Sequence, residues 1–223
     1  MMAIFDWHGL PHREVWAVDT EYYPGAGLAN GATRGDAITP LCLVAIELRS
    51  NRLVRLRQHE LGPFPPYRLD NEALICSYNL AAEFGVHIAK GWGEPACALD
   101  LYLEFRHCTN DGSIKAEDRD KGFFGLDGAL RYFLEDEIDC AHKEEMRDRI
   151  LQGPPFSADE EQAALDYCED DTRKLARLIA HIVPTIRSLP HAMLRAKVQW
   201  AIAQPERRGI PVNLPLITRT RRR

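Results

Sequence analysis

The sequence predicts an α/β fold: a mixed β-sheet, made of an antiparallel meander joined to parallel strands, flanked by α-helices. Three observations predict it. Apolar segments of strand length dominate residues 15–58. Short apolar strands then alternate with helical patterns between 73 and 107. From Leu126 onward, apolar residues recur at helical spacing.

Taken in order, residues 15–19 (Val-Trp-Ala-Val-Asp) form a strand apolar on both faces, as a buried strand is. Residues 20–40 are rich in Gly and Ala, with Pro24, Gly25, Gly27, Gly31 and Gly35, and predict a long loop of the kind that carries function. Residues 41–48 make a second strand. Residues 52–58 alternate Arg with Leu and Val, as a half-exposed edge strand does. These three strands give the meander. Pro63, Pro65 and Pro66 break the chain. Residues 73–77 are a short strand, and Ser77 or Asn79 is placed to cap a helix over 80–90. Residues 96–99 form a strand ending at Asp100, followed by a helix to about residue 107, and 109–122 is a polar loop.

Leu126, Leu130, Phe133 and Leu134 share one helical face. A helix near 142–151 stops before Gly153-Pro154-Pro155. Ser157-Ala-Asp-Glu160 is a capping box that opens a helix toward Cys168, which continues with the 170–182 stretch. A final helix covers about 190–203. No internal repeat is present.

The 223 residues suffice for one large domain, or one domain with an appendage. Their 45% hydrophobic and 27% charged content is ordinary for a soluble globular protein. No apolar run approaches the roughly 20 residues of a membrane span. The start, Met1 to Trp7, lacks the basic and apolar regions of a signal peptide, so a cytoplasmic location is expected. Six cysteines lie outside Cys-x-x-Cys pairs and predict buried, reduced thiols. A net charge of −5 excludes a bulk polyanion binder, so any nucleic-acid contact needs a local patch or metal ions. Gly25-Ala-Gly27 and Gly31 form neither a dinucleotide fingerprint nor a P-loop. The histidines lack metal spacing, and Ser77 lacks the context of an activated nucleophile.

The chemistry lies in carboxylates at three separated points. Asp19 and Glu21, two apart at a strand end, project to one side and can converge on one cation. Glu83 follows Asn79 by one helical turn. Tyr167 and Asp171, four apart on a helix, share a face, so the phenol can sit beside the carboxylate. Glu169 and Asp170 point elsewhere, and Asp100 is a spare structural acid. Mg²⁺ and Mn²⁺ prefer such oxygen ligands. Two-metal phosphodiester hydrolysis needs ions about 4 Å apart. Asp19 would bridge them, with Glu21 and Asp171 completing one site, Glu83 the other, and Tyr167 orienting the attacking water. Arg34, Arg106, Lys115, Lys121 and Arg173 are candidate phosphate contacts. Tyr22 and Tyr23 are candidate stacking platforms, and Phe123, Phe124 and Phe133 are core or loop anchors.

The order Asp-x-Glu, Asn-x-x-x-acid, Tyr-x-x-x-Asp resembles the DEDD exonuclease superfamily in its tyrosine version, and in particular the 3′–5′ proofreading exonuclease domain of family A DNA polymerases. The resemblance spans about 15–185. It implies a ribonuclease H-like fold over an exonuclease domain at 1–189. It also implies two Mg²⁺ or Mn²⁺ ions on Asp19, Glu21, Glu83 and Asp171, with Tyr167 catalytic, and release of 5′-mononucleotides. Residues 190–223, a helix and basic tail including Ala201 to Asn213, resemble the lead-in to a polymerase body, though that segment is too short to contain the body itself. Glu83 stands where the family commonly has aspartate. The expected substrate is DNA with a single-stranded 3′ end, and a polymerase or another replication or repair protein is a possible partner. An RNA 3′ exonuclease similar to ribonuclease D, or a non-catalytic binding module, are the alternatives.

Overall fold

The structure, a computed structural model, describes residues 9–24, 38–110, 114, 122–134, 141–208, 213 and 218–220. At its centre is β1 (Glu14–Pro24), antiparallel to β2 (Ile38–Glu47) on one side and parallel to β4 (Ala73–Ser77) on the other. With β3 (Arg52–Arg57) and β5 (Ala98–Asp100), the sheet among the described residues runs β3-β2-β1-β4-β5. The meander and the parallel pairs are both present, as expected for the mixed sheet.

β1 is apolar on both sides because both sides are covered. Trp16 and Val18 pack with Leu43, Ala45, Ile75 and Val86. Val15 and Ala17 pack on the other face with Leu74, Leu99, Leu175 and Ile179. α1 (Leu80–Lys90) and α6 (Leu189–Arg208) cover the first face, joined through Leu80, Phe84, Ala98, Ala196 and Ala203. α2 (Leu101–Cys108), α3 (Leu126–Leu134) and the 25-residue α5 (Ala158–Ile182) cover the second. α4 (Ala141–Leu151) lies beside α5, with Ile150 packed on Tyr23, Leu41 and Ala164. α5 opens on the expected capping box, Ser157 with Glu160, and is one continuous helix.

Three differences from the sequence expectations matter. β1 does not stop at Asp19 but stays in the sheet through Pro24, because Tyr22 and Tyr23 find apolar partners around Ile38 and Leu41. Residues 25–37, the rest of the expected loop, lie outside the described residues, as does most of 109–122. The register shifts opposite Glu21 and Tyr22, where Leu41 is the extra residue of a β-bulge, so Leu41 and Cys42 both face α5. Finally, α6 runs through Pro205 to Arg208, five residues beyond the expected end. It is held to α2 by Arg195, whose guanidinium donates to both oxygens of buried Glu104 at 2.8 and 2.6 Å.

The edge strand is tied to α5 by its arginines. Arg55 pairs with Glu169 at 2.9 Å and with Asp166, and Arg57 donates to Gln162. Glu169 is therefore a structural partner rather than a bare surface charge. On the α1 side, the Tyr67 hydroxyl donates to His87 Nε2 at 2.7 Å while His87 Nδ1 donates to the Gly93 carbonyl at 3.0 Å. Burial pushes His87 down to about 4, so the ring is neutral core. The described cysteines are free thiols, four of them buried.

Candidate active site

The pairing of β1 with β4 ends at Ala17 and Cys76, but β1 continues. Asp19 and Glu21 lie on that continuation, on the same face as Val15 and Ala17, which is the face α5 covers. β4 ends at Ser77, and the chain turns through Asn79, held in the left-handed region at φ 72°, into α1. The two carboxylates thus border the crevice beyond the carboxyl ends of two parallel strands, where open α/β sheets hold their ligands.

α5 supplies the opposite wall. Leu165 and Cys168 pack on Cys42 and Val44 of β2, and the Cys168 thiol donates to the Asp19 carbonyl at 3.4 Å. That seat sets Tyr167 and Asp171 against the β1 carboxylates. The half-buried Tyr167 hydroxyl is hydrogen-bonded to Asp171, which is itself buried. Lys174 Nζ lies 3.5 Å from Asp171 Oδ1.

α1 supplies the third wall. Glu83 occupies its first turn, where exposed backbone amides favour a carboxylate, and is only 3% exposed. The helix start is not capped by Ser77 or Asn79 as expected. Asp100 performs that task from the end of β5: Oδ2 accepts the Leu80 amide and Oδ1 the Leu103 amide, each at 2.9 Å. One buried carboxylate therefore closes the N-termini of both α1 and α2. A long-range partner outcompetes the local ones because it serves two helices at once.

The electrostatics show the acids gathered together. Burial pushes Glu21 well above the usual carboxylate range, and Asp19, Cys42, Asp171 and Glu83 add to it. Burial does the same to Glu83, with Asp19 next. The Tyr167 phenol is raised by burial, then by Asp171, Glu21 and Asp19. Tyr22 is pushed up to about 12 by burial, then by Glu83 and Glu21. Clustered, desolvated carboxylates are costly and mark functional sites. All five sequence-predicted residues are thus neighbours. Tyr23, by contrast, is buried against Phe156 with ring centroids 5.6 Å apart and is no stacking platform. Arg34, Lys115 and Lys121 lie outside the described residues. Sequence reading missed Lys174, which a single turn beyond Asp171 made findable, and the Cys42–Cys168 seat, which no local pattern signals.

Hard oxygen donors from four carboxylates suit Mg²⁺ or Mn²⁺. Glu83 Oε2 is buried with no hydrogen-bond partner, the state of an oxygen awaiting a cation or a proton. With the side chains as they stand, no three His, Cys, Asp or Glu among the described residues are placed to hold one metal ion. The fit therefore rests on donor chemistry and burial rather than on a formed ligand shell.

No family model matches the chain, and no curated protein matches it. Solved structures do. Trypanosoma brucei RNase D in complex with RNA U12 aligns over 91% of this chain with 17% identity and a TM-score of 0.58. RNase D of the same organism in a second structure gives 15% identity over 91% and a TM-score of 0.56. The apo form of a nuclease gives 13% identity over 89% and a TM-score of 0.52. The chain spans 66% of the length of the RNase D in the RNA complex. The five-stranded mixed sheet with its flanking helices is thus the α/β fold of RNase D-like nucleases.

Proposed function

We propose that this protein is a divalent-metal-dependent 3′–5′ exonuclease that removes mononucleotides from the 3′ end of single-stranded RNA. The observation that carries the reading is the convergence of Asp19, Glu21, Glu83 and Asp171, with the phenol of Tyr167, in one crevice of a nuclease fold. The likeness to ribonuclease D, one structure of which holds RNA, supports RNA over the DNA substrate that the sequence favoured. Replication or repair partners gain no support from these neighbours.

Asp19, Glu21, Glu83 and Asp171 would hold the cations. Bound there, two cations would supply Lewis-acid stabilisation of the charge that develops on the scissile phosphate and the leaving 3′ oxygen. The protein's own groups do the positioning. Tyr167 holds the attacking water in line, with Asp171 fixing the direction of its hydroxyl. Lys174, beside Asp171, offers a positive charge to the terminal phosphate. Asp100 fixes the start of α1 and hence Glu83.

Matched RNA and DNA oligonucleotides labelled at the 5′ end test this reading, each incubated with Mg²⁺, Mn²⁺ or chelator. The expected result is stepwise shortening of RNA from the 3′ end, lost in chelator and lost in Asp19→Ala. Undiminished shortening by Asp19→Ala, or none by the wild type, refutes it.

A further inference from the structure

The aromatic residues between α2 and α3 have no part in the carboxylate site, yet they form a continuous tract leading away from it. Tyr78, next to Asn79, meets the Tyr102 ring edge-on at 6.1 Å. The Arg106 guanidinium lies over Tyr102 and Phe124, 5.5 and 5.0 Å from the ring centroids, and donates to the Tyr102 hydroxyl at 2.8 Å. Phe124 contacts Phe123 at 5.0 Å, Phe123 contacts Tyr132 at 6.3 Å, and all of them gather around buried Phe105.

The tract ends at a cavity of about 460 Å³ walled by His107, Asn110, Tyr132, Phe133 and Arg187. Tyr132 is 45% exposed there, an aromatic ring left half in water. His107 and Arg187 are exposed on the same wall. Glu104 also borders the cavity, but its charge is taken up by the bidentate Arg195. The carbonyl end of α2 is covered in part by the Thr109 hydroxyl, which donates to Phe105 at 2.8 Å. What remains is a stacking ring, an amide and an imidazole able to meet a base edge, and the guanidinium of Arg187. That is the composition of a site for single-stranded nucleic acid, where bases stack on aromatics and phosphates meet positive charge. Asp171 and Ile182 are three turns apart on α5, roughly 17 Å along the helix, and Thr185 and Ile186 just beyond that end line the cavity, which so lies within reach of the same strand.

We propose that the aromatic–arginine tract from Tyr102 to the cavity of Tyr132 and Arg187 binds the single-stranded RNA upstream of the 3′ end. The proposal rests on the exonuclease reading for its direction, but the tract's affinity is measurable without catalysis.

The test uses 5′-fluorescein oligouridylates, a dodecamer and a trinucleotide, by fluorescence anisotropy in chelator and by nucleotide release with Mn²⁺. The double variant Tyr132→Ala/Arg187→Ala changes exposed side chains, and thermal melting checks that it folds. Its dodecamer affinity should fall about tenfold, and the ratio of dodecamer to trinucleotide kcat/KM should fall similarly, while Arg52→Ala on the far edge strand stays within about twofold. Wild-type affinity in the double variant, an equal loss in Arg52→Ala, or no dodecamer binding by the wild type overturns the tract. Nucleotide release with unaltered binding by the double variant would remove the tract and leave the exonuclease. Tract-dependent binding without release in any divalent cation would remove the exonuclease reading and leave the tract.

Discussion

The Tyr167 hydroxyl is hydrogen-bonded to the carboxylate of Asp171, one turn further along α5. The bond joins a phenol of the crevice to one of its acids, and it fixes where the hydroxyl points. Tyr167→Phe keeps the ring and removes only that orientation. The expected outcome is a kcat lowered about a hundredfold with KM little changed. Steady-state kinetics on labelled RNA, with a melting curve to show the fold intact, check it.

Glu21 and Glu83 carry pKa values raised above those of an unfolded chain. Such groups favour the folded state fully below the unfolded carboxylate value, and that contribution is lost as pH rises through the folded one. Glu83→Gln escapes the loss. The difference in Tm between Glu83→Gln and wild type, measured in chelator, should therefore grow from pH 5 to pH 8. A constant or shrinking difference contradicts the burial and repulsion described for this site.

In the proposed reading, divalent cations compete with protons for the same oxygens. Mn²⁺ should raise the wild-type Tm at pH 8 more than at pH 5, and should raise that of Asp19→Asn far less. Differential scanning calorimetry with and without the ion reads this directly, independent of turnover.

Asp100 accepts one amide from each of two helices while only 1% exposed. Asp100→Ala should cost about 2–4 kcal/mol, the sum of two lost caps with buried amides left behind. Urea denaturation measures it. Asp100→Asn, which keeps one acceptor, should recover about half.

Arg195→Ala would strand the Glu104 carboxylate in the core, since Arg195 supplies both of its hydrogen bonds shown here. The expected loss is about 3 kcal/mol. Adding Glu104→Met to Arg195→Ala should restore most of it, because the penalty comes from the uncompensated charge rather than from the missing cation.

The strands and helices with one clear period were legible: the arginine-lined edge strand, the short parallel strands, and the helix opened by Ser157 and Glu160. So was each local piece of the site, because Asp19 with Glu21 and Tyr167 with Asp171 need only strand and helix geometry. What local pattern does not encode is choice among partners. Asn79 and Asp100 both fit a capping role at α1, and a distant acid that serves two helices won. Tyr22 and Tyr23 look like loop residues until β2 supplies Ile38 and Leu41, which half-bury the first and bury the second. The convergence of the acids depends on Cys168 resting against β2 and the Asp19 carbonyl, a contact between residues 149 positions apart.

The bulge at Leu41 puts two consecutive β2 side chains under α5, one against Tyr23 and the next against Cys168. Deleting that one residue would restore strict alternation while Pro40, Thr39 and Ile38 kept their faces, and would remove only the Leu41 side chain, which with Tyr23, Ile150 and Ala164 cushions Tyr167. Descendants of this sequence can exchange Leu41 for another apolar residue, whereas a frame-preserving loss of that codon would open a gap beneath Tyr167 while leaving every acid of the crevice untouched.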